Sequence, residues 1–538
     1  MKLKLIMFDV LIKNAVIIDG TGDPMYKADL GIRDDRIEEI GYLADEKGEE
    51  ELDAFGFMVC PGFIDVNNQS DTRWRIFSDP RLESLVCQGI TTIIGGNCGS
   101  SLAPLASSEA IYSIQKWGNV NQINVGWQTV GEFLKFLERQ GLAVNFATLT
   151  GHGTLRRGLM KDATKIISQE ELNKMKRLLE KSLKEGSLGM SAGLIYTHER
   201  KTTISELEEL MRIIKKYQGV YTTHIRNERE NFLEALEETI ALTEKIEASA
   251  HISHLKVMEE KNWSLMNDAL ALLSESLSRG TKITFDVYPY TRTETVLYTL
   301  LPEWISEGGK KMMLHRLKDP EIRKKIIASL KETGFDWAGL EISKSFLNRV
   351  LTKRKITDIA SSQNKSAEET IVEILVASEG AVIVSANALS DENVEKAILH
   401  PASIIATNGA GYNLEHVYSG ERVHPRNFGT FPKILAKYVM EKKLLSWEEA
   451  VRKMTSKPAR KFGIKKRGEI KKGFSADLVI IDMDEIKDLA TMENPYQHNR
   501  GIEAVLINGK VVLQEGKINP EMNGRILTPS LTGRTKFK

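Results

Sequence analysis

The sequence predicts an α/β protein, a (β/α)8 TIM-type barrel joined to a small β-sandwich domain formed by both chain ends. Three observations predict it. Apolar, β-branched runs alternate with helix-like segments, the mark of repeated βα units and a parallel sheet. There are eight such runs. The two ends of the chain resemble each other more than either resembles the middle.

The ends come first. "LIKNAVIIDGTG" and "ADLGIRDDRIEEIG" near the start, and "ADLVIIDMD" and "IEAVLINGKVVLQEGKI" near the finish, are short strand-like runs broken by turn residues. In the last of these, Asn508-Gly509 between apolar runs is a hairpin signal. The expected sandwich therefore combines residues 1–60 with 460–538, and the barrel occupies 61–459.

The eight barrel strands read, in order, as "PGFIDVN", "ITTIIGGNCG", "NFATLTGHG", "LGMSAGL", "GVYTTHIR", "SAHISHLK", "KITFDVYPY" and "SIIATNG". Helices between them carry start signals. Ser168 with Glu171, and Ser205 with Glu208, are each spaced as a capping box. Leu207, Leu210, Met211 and Ile214 then recur at helical spacing as a buried stripe. Residues 296–400 break the rhythm with charged helical stretches. They fall between strands seven and eight, so they are expected to enter at the catalytic face and cover it.

Composition narrows the function. With 538 residues, 74 Lys+Arg against 73 Asp+Glu and a formal charge of +1, no strong field draws the chain to nucleic acid or membranes. A small-molecule partner is expected. Three scattered cysteines make no disulfide framework, which suits a reducing, cytoplasmic setting. The opening apolar run is interrupted by Asp9 and no cleavage signal follows.

In such a barrel the active site lies at the carboxyl ends of the strands. Strand two ends at Cys98, strand five at His224 and strand six at His254. A thiolate and two imidazoles with an open fourth position suit a catalytic zinc. His251 is expected to point away from His254 by strand alternation.

The motifs "PGFID", "QGITTIIGGNCGSSLAP", "GHGTLRRG", "LGMSAGLIY", "YTTHIRNE", "ISHLK", "DVYPY", "HPRNFGTFPK" and "GEIKKGFSADLVIID" run in order along nearly the whole chain. Together they resemble the N-acyl-D-amino-acid deacylases of the amidohydrolase superfamily. The resemblance implies zinc, one ion per chain, on Cys98, His224 and His254, and a substrate carboxylate met by Lys256, Tyr290 and Arg426. It implies hydrolysis of an N-acyl or peptide-like amide.

The same resemblance exposes a departure. The family's strand-one His-x-His and strand-eight aspartate, the general base, fall here on Asn67, Gln69 and Asn408. None of these ionises near neutral pH. Loss of general acid–base help costs ~10²- to 10⁴-fold, so a slow hydrolase and a non-hydrolytic binding or partner protein both fit, as does another zinc-assisted reaction. Asp71, Asp286 and His152 are candidate replacement bases. Asn408-Gly409 is also a deamidation-prone pair that could generate a carboxylate.

Overall fold

A computed structural model describes residues 7–120, 122–345, 349–519 and 521–529. The tail "LTGRTKFK", read as a loose end, lies outside them. Eight parallel strands follow the expected order: Phe63–Asp65, Ile90–Gly95, Asn145–Thr148 (continued by Thr150–Gly151), Gly189–Gly193, Val220–His224, Ser249–Ile252, Ile283–Val287 and Ser403–Ile405. Each pairs with the next in parallel, from Phe63↔Ile90 through Met190↔Thr150 to Val287↔Ile405. The ring closes where the ends of strands one and eight meet, with Asn68 bridging Gly409 in parallel and Gln69 N donating to Gly409 O at 2.6 Å.

The strands are buried along their length, as expected of a sheet covered by helices. The helix Gln169–Glu185 begins with the predicted capping box, Ser168 and Glu171 bonding reciprocally. The next helix differs from expectation. It spans Ile204–Lys216 and its cap is Thr203, whose hydroxyl accepts from Glu206 N at 3.2 Å. Ser205 lies inside the first turn. Thr203-x-x-Glu206 matches the same sequence pattern two residues earlier, but the Glu206 carboxylate is drawn inward to His152 and Arg156. The stripe Leu207, Leu210, Met211, Ile214 is buried.

Both chain ends enter one nine-stranded sheet. Its order runs Lys517–Ile518, Lys510–Gln514, Ile502–Ile507, Leu478–Ile481, Met58–Pro61, Met7–Ile17, Tyr26–Arg33, Arg36–Gly41, with Lys47–Asp53 beside Met7–Ile17. Asn508 and Gly509 form the two-residue turn between Ile507 and Lys510, at φ 51° and 80°. Positive φ at both positions is what such a turn requires.

The interruption before strand eight is a unit with its own core. Arg292–Val296, Glu341–Ser345 and Val382–Asn387 form a three-stranded antiparallel sheet. Helices including Gly309–Lys318, Pro320–Glu332 and Ala367–Ala377 pack on it around Trp337, Leu340, Ile371 and Leu375. The sequence showed its charged helices but not its sheet. It starts at Arg292, and Asp391–Leu399 beyond it is already the helix that leads into strand eight.

Candidate metal centre and its cavity

Cys98 sits three residues past strand two, beyond Gly95-Gly96. Asp71 fixes that turn by accepting from Gly96 N at 2.6 Å. His224 ends strand five. His254 lies two residues past the end of strand six, in a turn, at φ 41°. Strand alternation therefore stops short of it, and what turns it inward is that backbone kink. Cys98 and Asn408 also hold positive φ, 51° and 45°. Non-glycine residues kept in this region cost roughly 1–3 kcal/mol each and gather at functional sites.

These three turns bring one donor atom from each of Cys98, His224 and His254 within 4.8 Å of one another. Cys98 Sγ is 3.6 Å from His254 Nε2, and the two imidazoles meet edge to face with centroids 4.4 Å apart. All three residues are buried. Among the described residues neither ring nitrogen of His224 has a hydrogen-bond partner. Nε2 approaches Glu228 Oε1 at 3.2 Å without the alignment of one. A buried histidine with both nitrogens unsatisfied is costly unless something binds there. The donor set and spacing fit zinc in an open three-ligand site.

Burial above all pushes the Cys98 thiol up to about 12, with Asp286 adding to it, and His254 down to about 4, with Lys256 adding to the latter. Both shifts favour the neutral groups. A bound cation reverses the preference at the thiol, because coordination removes its proton.

Glu228, four residues after His224, was missed by the sequence reasoning although it lies within the quoted motif "YTTHIRNE". Its Oε1 lies 3.2 Å from His254 Nδ1 and in direct contact with Lys256 Nζ. Its carboxyl group is held well below the usual range: burial opposes ionisation, and His224 and Lys256 outweigh it. Lys256 Nζ also lies 2.9 Å from His254 Nδ1, so Glu228 and Lys256 together occupy the Nδ1 side of His254 and leave Nε2 facing Cys98. A carboxylate in this outer position usually orients a metal-binding histidine.

One cavity joins the triad to the altered positions. Its wall includes Gln69, Arg73, Cys98, His224, His254, Lys256, Glu294, Asn408 and Arg426. Gln69 Nε2 reaches Asn67 Oδ1 at 3.3 Å and lies 3.9 Å from Cys98 Sγ. Asn67 Nδ2 in turn approaches the Asp286 carboxylate at 3.3 and 3.4 Å. His251, expected to face away, stands behind this row and bonds Asp286 Oδ2 at 3.0 Å.

The proposed replacement bases are not in the cavity wall. Asp71 is spent on Gly96 N and Thr72 N. Asp286 is shared by Asn67 and His251. His152 is clamped at 2.8 Å on each side by Glu199 and Glu206. Tyr290, expected to bind a carboxylate, is also absent from the wall. It packs against His424, under Lys433. Arg426 and Lys256 do face the cavity.

Arg426 is 3% exposed, and among the described residues its Nε and Nη1 have no partner. Its Nη2 is 3.3 Å from Glu294, a residue of the insertion that also takes Arg73 Nη2 at 3.0 Å. Neither Arg73 nor Glu294 stood out in the sequence, since each is an isolated charge in a loop or short strand.

A model of the amidohydrolase family matches residues 50–373 and 421–513. The chain belongs to the amidohydrolase family. It is 31% identical to D-aminoacylase of Alcaligenes xylosoxydans xylosoxydans over 520 residues, 97% of each chain. It is 30% identical to N-acyl-D-glutamate deacylase of the same organism, over 98% of this chain and 99% of that one. Among solved structures, N-acyl-D-glutamate deacylase from Bordetella bronchiseptica, complexed with zinc and a phosphonate inhibitor, superposes with a TM-score of 0.82 at 29% identity, covering 97% of this chain and 100% of that one. D-aminoacylase with a binuclear metal centre gives 0.81 at 28%, with the same coverage. The amidohydrolase is thus a hydrolase of carbon–nitrogen bonds other than peptide bonds, built on the barrel of the D-aminoacylases. Among the described residues no helix is long and apolar enough to cross a membrane.

Proposed function

We propose that this amidohydrolase is zinc-dependent and cleaves the amide of an N-acyl amino acid, holding one zinc on Cys98, His224 and His254. The observation that carries the proposal is the convergence of those three side chains with both His224 nitrogens unsatisfied. The names of its relatives support the D configuration and a free carboxylate. Zinc bound there supplies Lewis acidity and a water of lowered pKa.

The chain's own residues have separable tasks. Arg426, with two donors unpartnered among the described residues, receives the substrate carboxylate. Glu228 orients His254 and holds Lys256 against the cavity wall. Asn408 and Gln69 position groups by hydrogen bonding, but neither can take up the proton that the leaving amine needs. Turnover is therefore expected to be slow, unless the proton travels through water.

A second reading, a binding protein without turnover, is favoured by the same loss of ionisable groups at Asn67, Gln69 and Asn408. One experiment separates the two. Zinc per chain is measured by elemental analysis for the parent and Cys98→Ala, and both are assayed on a panel of N-acyl-D-amino acids. About one zinc and slow hydrolysis, both lost in the variant, support the amidohydrolase. Saturable binding without product, unaffected by the variant, supports the binding protein. Absence of zinc after incubation with excess metal sinks the three-ligand site.

A further inference from the structure

A second cavity adjoins the metal site across one side chain. Tyr196 lines both cavities, and its ring is 5.3 Å from that of His224. The insertion roofs the second cavity through Tyr298, Lys310 and Glu379, and barrel loops floor it.

The charges in its wall can be paired off one by one. Glu199 bonds His152, which bonds Glu206, which bonds Arg156. His152 is pushed up despite its burial, because two carboxylates hold its proton. Two carboxylates and two cations thus cancel. Arg157 pairs with Asp162, and Lys310 with Glu379 at 3.8 Å. Burial lowers His198, which favours its neutral form.

Lys116 is left over. Its Nζ lies 3.6 Å above the Tyr196 ring, and among the described residues no carboxylate is within ion-pair distance of it. Half-buried in the wall, it is pulled down to about 8 by desolvation, against which Glu199 and Cys98 act from beyond ion-pair distance. Arg157 is 4% exposed, and its Nε is unpartnered. Charges removed from bulk water are normally paired. An unpaired one in the wall of a cavity beside a catalytic centre marks where an anion fits.

The first cavity shows the same kind of surplus. Lys256 is balanced by Glu228, whereas Arg73 and Arg426 share the single carboxylate of Glu294. Each cavity therefore has room for one negative charge.

We propose that the cavity behind Tyr196 is a second subsite, with Lys116 as its anion-binding residue, and that the preferred substrate is an N-acyl amino acid bearing two carboxylates. The proposal rests on the function proposed above. One carboxylate meets Arg426, the amide lies at the metal ligands, and the other carboxylate passes Tyr196 to Lys116. The second carboxylate belongs to the amino-acid side chain or to the acyl group.

The test uses the zinc-loaded full chain, Lys116→Met and Lys116→Arg. Values of kcat/KM are measured for N-acetyl-D-glutamate, N-succinyl-D-leucine and N-acetyl-D-leucine, and glutarate binding is followed by calorimetry. At least one dianionic substrate is expected to be preferred about tenfold over N-acetyl-D-leucine, the scale of one charge-assisted hydrogen bond. The favoured compound tells whether the side chain or the acyl group enters. Lys116→Met should bring the ratio to about one and weaken glutarate binding. Lys116→Arg should keep both.

A ratio unchanged in Lys116→Met, a preference for N-acetyl-D-leucine, or glutarate binding indifferent to Lys116 overturns the subsite. If no compound is hydrolysed yet glutarate binds in a Lys116-dependent way, the deacylase reading falls and the anion site stands. If N-acetyl-D-leucine is hydrolysed without any role for Lys116, the reading stands and the subsite falls.

Discussion

Two residues bear most on the chemistry, and they act differently. Glu228 touches His254 and Lys256 rather than the reacting atoms, so its role is positioning. Glu228→Gln keeps the shape but loses the charge that fixes the imidazole and compensates Lys256. Zinc affinity is expected to fall ~10- to 100-fold, the usual cost of removing an outer-shell partner, and a competition titration with a chromophoric chelator would measure it. An unchanged affinity would reduce Glu228 to a counter-ion for Lys256. Asn408 is the opposite case, since it faces the cavity and lacks a proton-transferring group. Asn408→Asp supplies that group in place. A rise in kcat of ~10²- to 10⁴-fold is the expected gain from restored general acid–base catalysis, read by steady-state rates on an N-acyl-D-amino acid. No gain would mean that proton transfer does not limit the parent enzyme.

At the scale of elements, strands were legible because short runs of apolar, small and β-branched residues alternate with helix-like segments, and a ring of such runs admits few arrangements. Turns were less so. His224 could be located by where a strand stops, but Cys98 and His254 each required a left-handed residue beyond the strand. The partners Glu228, Arg73 and Glu294 come together only through the closed barrel and the insertion. The insertion's sheet was hidden because Thr293, Glu294 and Thr295 interrupt its first strand with polar groups that serve the cavity and a short helix. Caps offer a quantitative check on this kind of legibility. Thr203→Ala removes the hydroxyl that accepts from Glu206 N and is expected to cost ~1 kcal/mol. Ser205→Ala is expected to be near neutral, by chemical denaturation of both. The insertion makes a second check. Leu375→Ala opens its private core and is expected to cost ~2–5 kcal/mol. Hydrogen exchange should rise across 292–387 while the barrel strands stay protected, and uniform loss of protection would show that the insertion and barrel unfold as one.

At the scale of the whole molecule, the barrel has two ends with different electrostatics. The carboxyl-terminal end holds the cavities and their unpaired cations. Near strand eight's amino-terminal end, buried Lys453 and half-buried Lys457 cap backbone carbonyls: Lys453 Nζ donates to His400 O at 2.7 Å and Lys457 Nζ to Ser403 O at 2.7 Å. His400 lies among them as a satisfied neutral ring. Its Nδ1 accepts from Ala402 N at 3.1 Å, and its Nε2 is 2.9 Å from Ser274 Oγ. A second ring proton would point at the Ala402 N–H. Burial first, and Lys453 second, hold this histidine down at about 4, against ~6.5 in the unfolded chain. A depressed folded value means that the unfolded chain binds the proton more readily. The stabilisation is therefore complete above pH ~6.5 and is lost as pH falls toward 4. Lys457, lowered to about 6 by burial and by Lys453, works in the same direction over the upper part of that range. His400→Asn keeps one acceptor and one donor but cannot titrate. Melting temperatures of the parent and variant, taken between pH 7 and 4, should converge as the pH falls, because the parent alone loses the His400 contribution. Parallel curves would mean that His400 is protonated equally in both states and that acid sensitivity arises elsewhere in the fold.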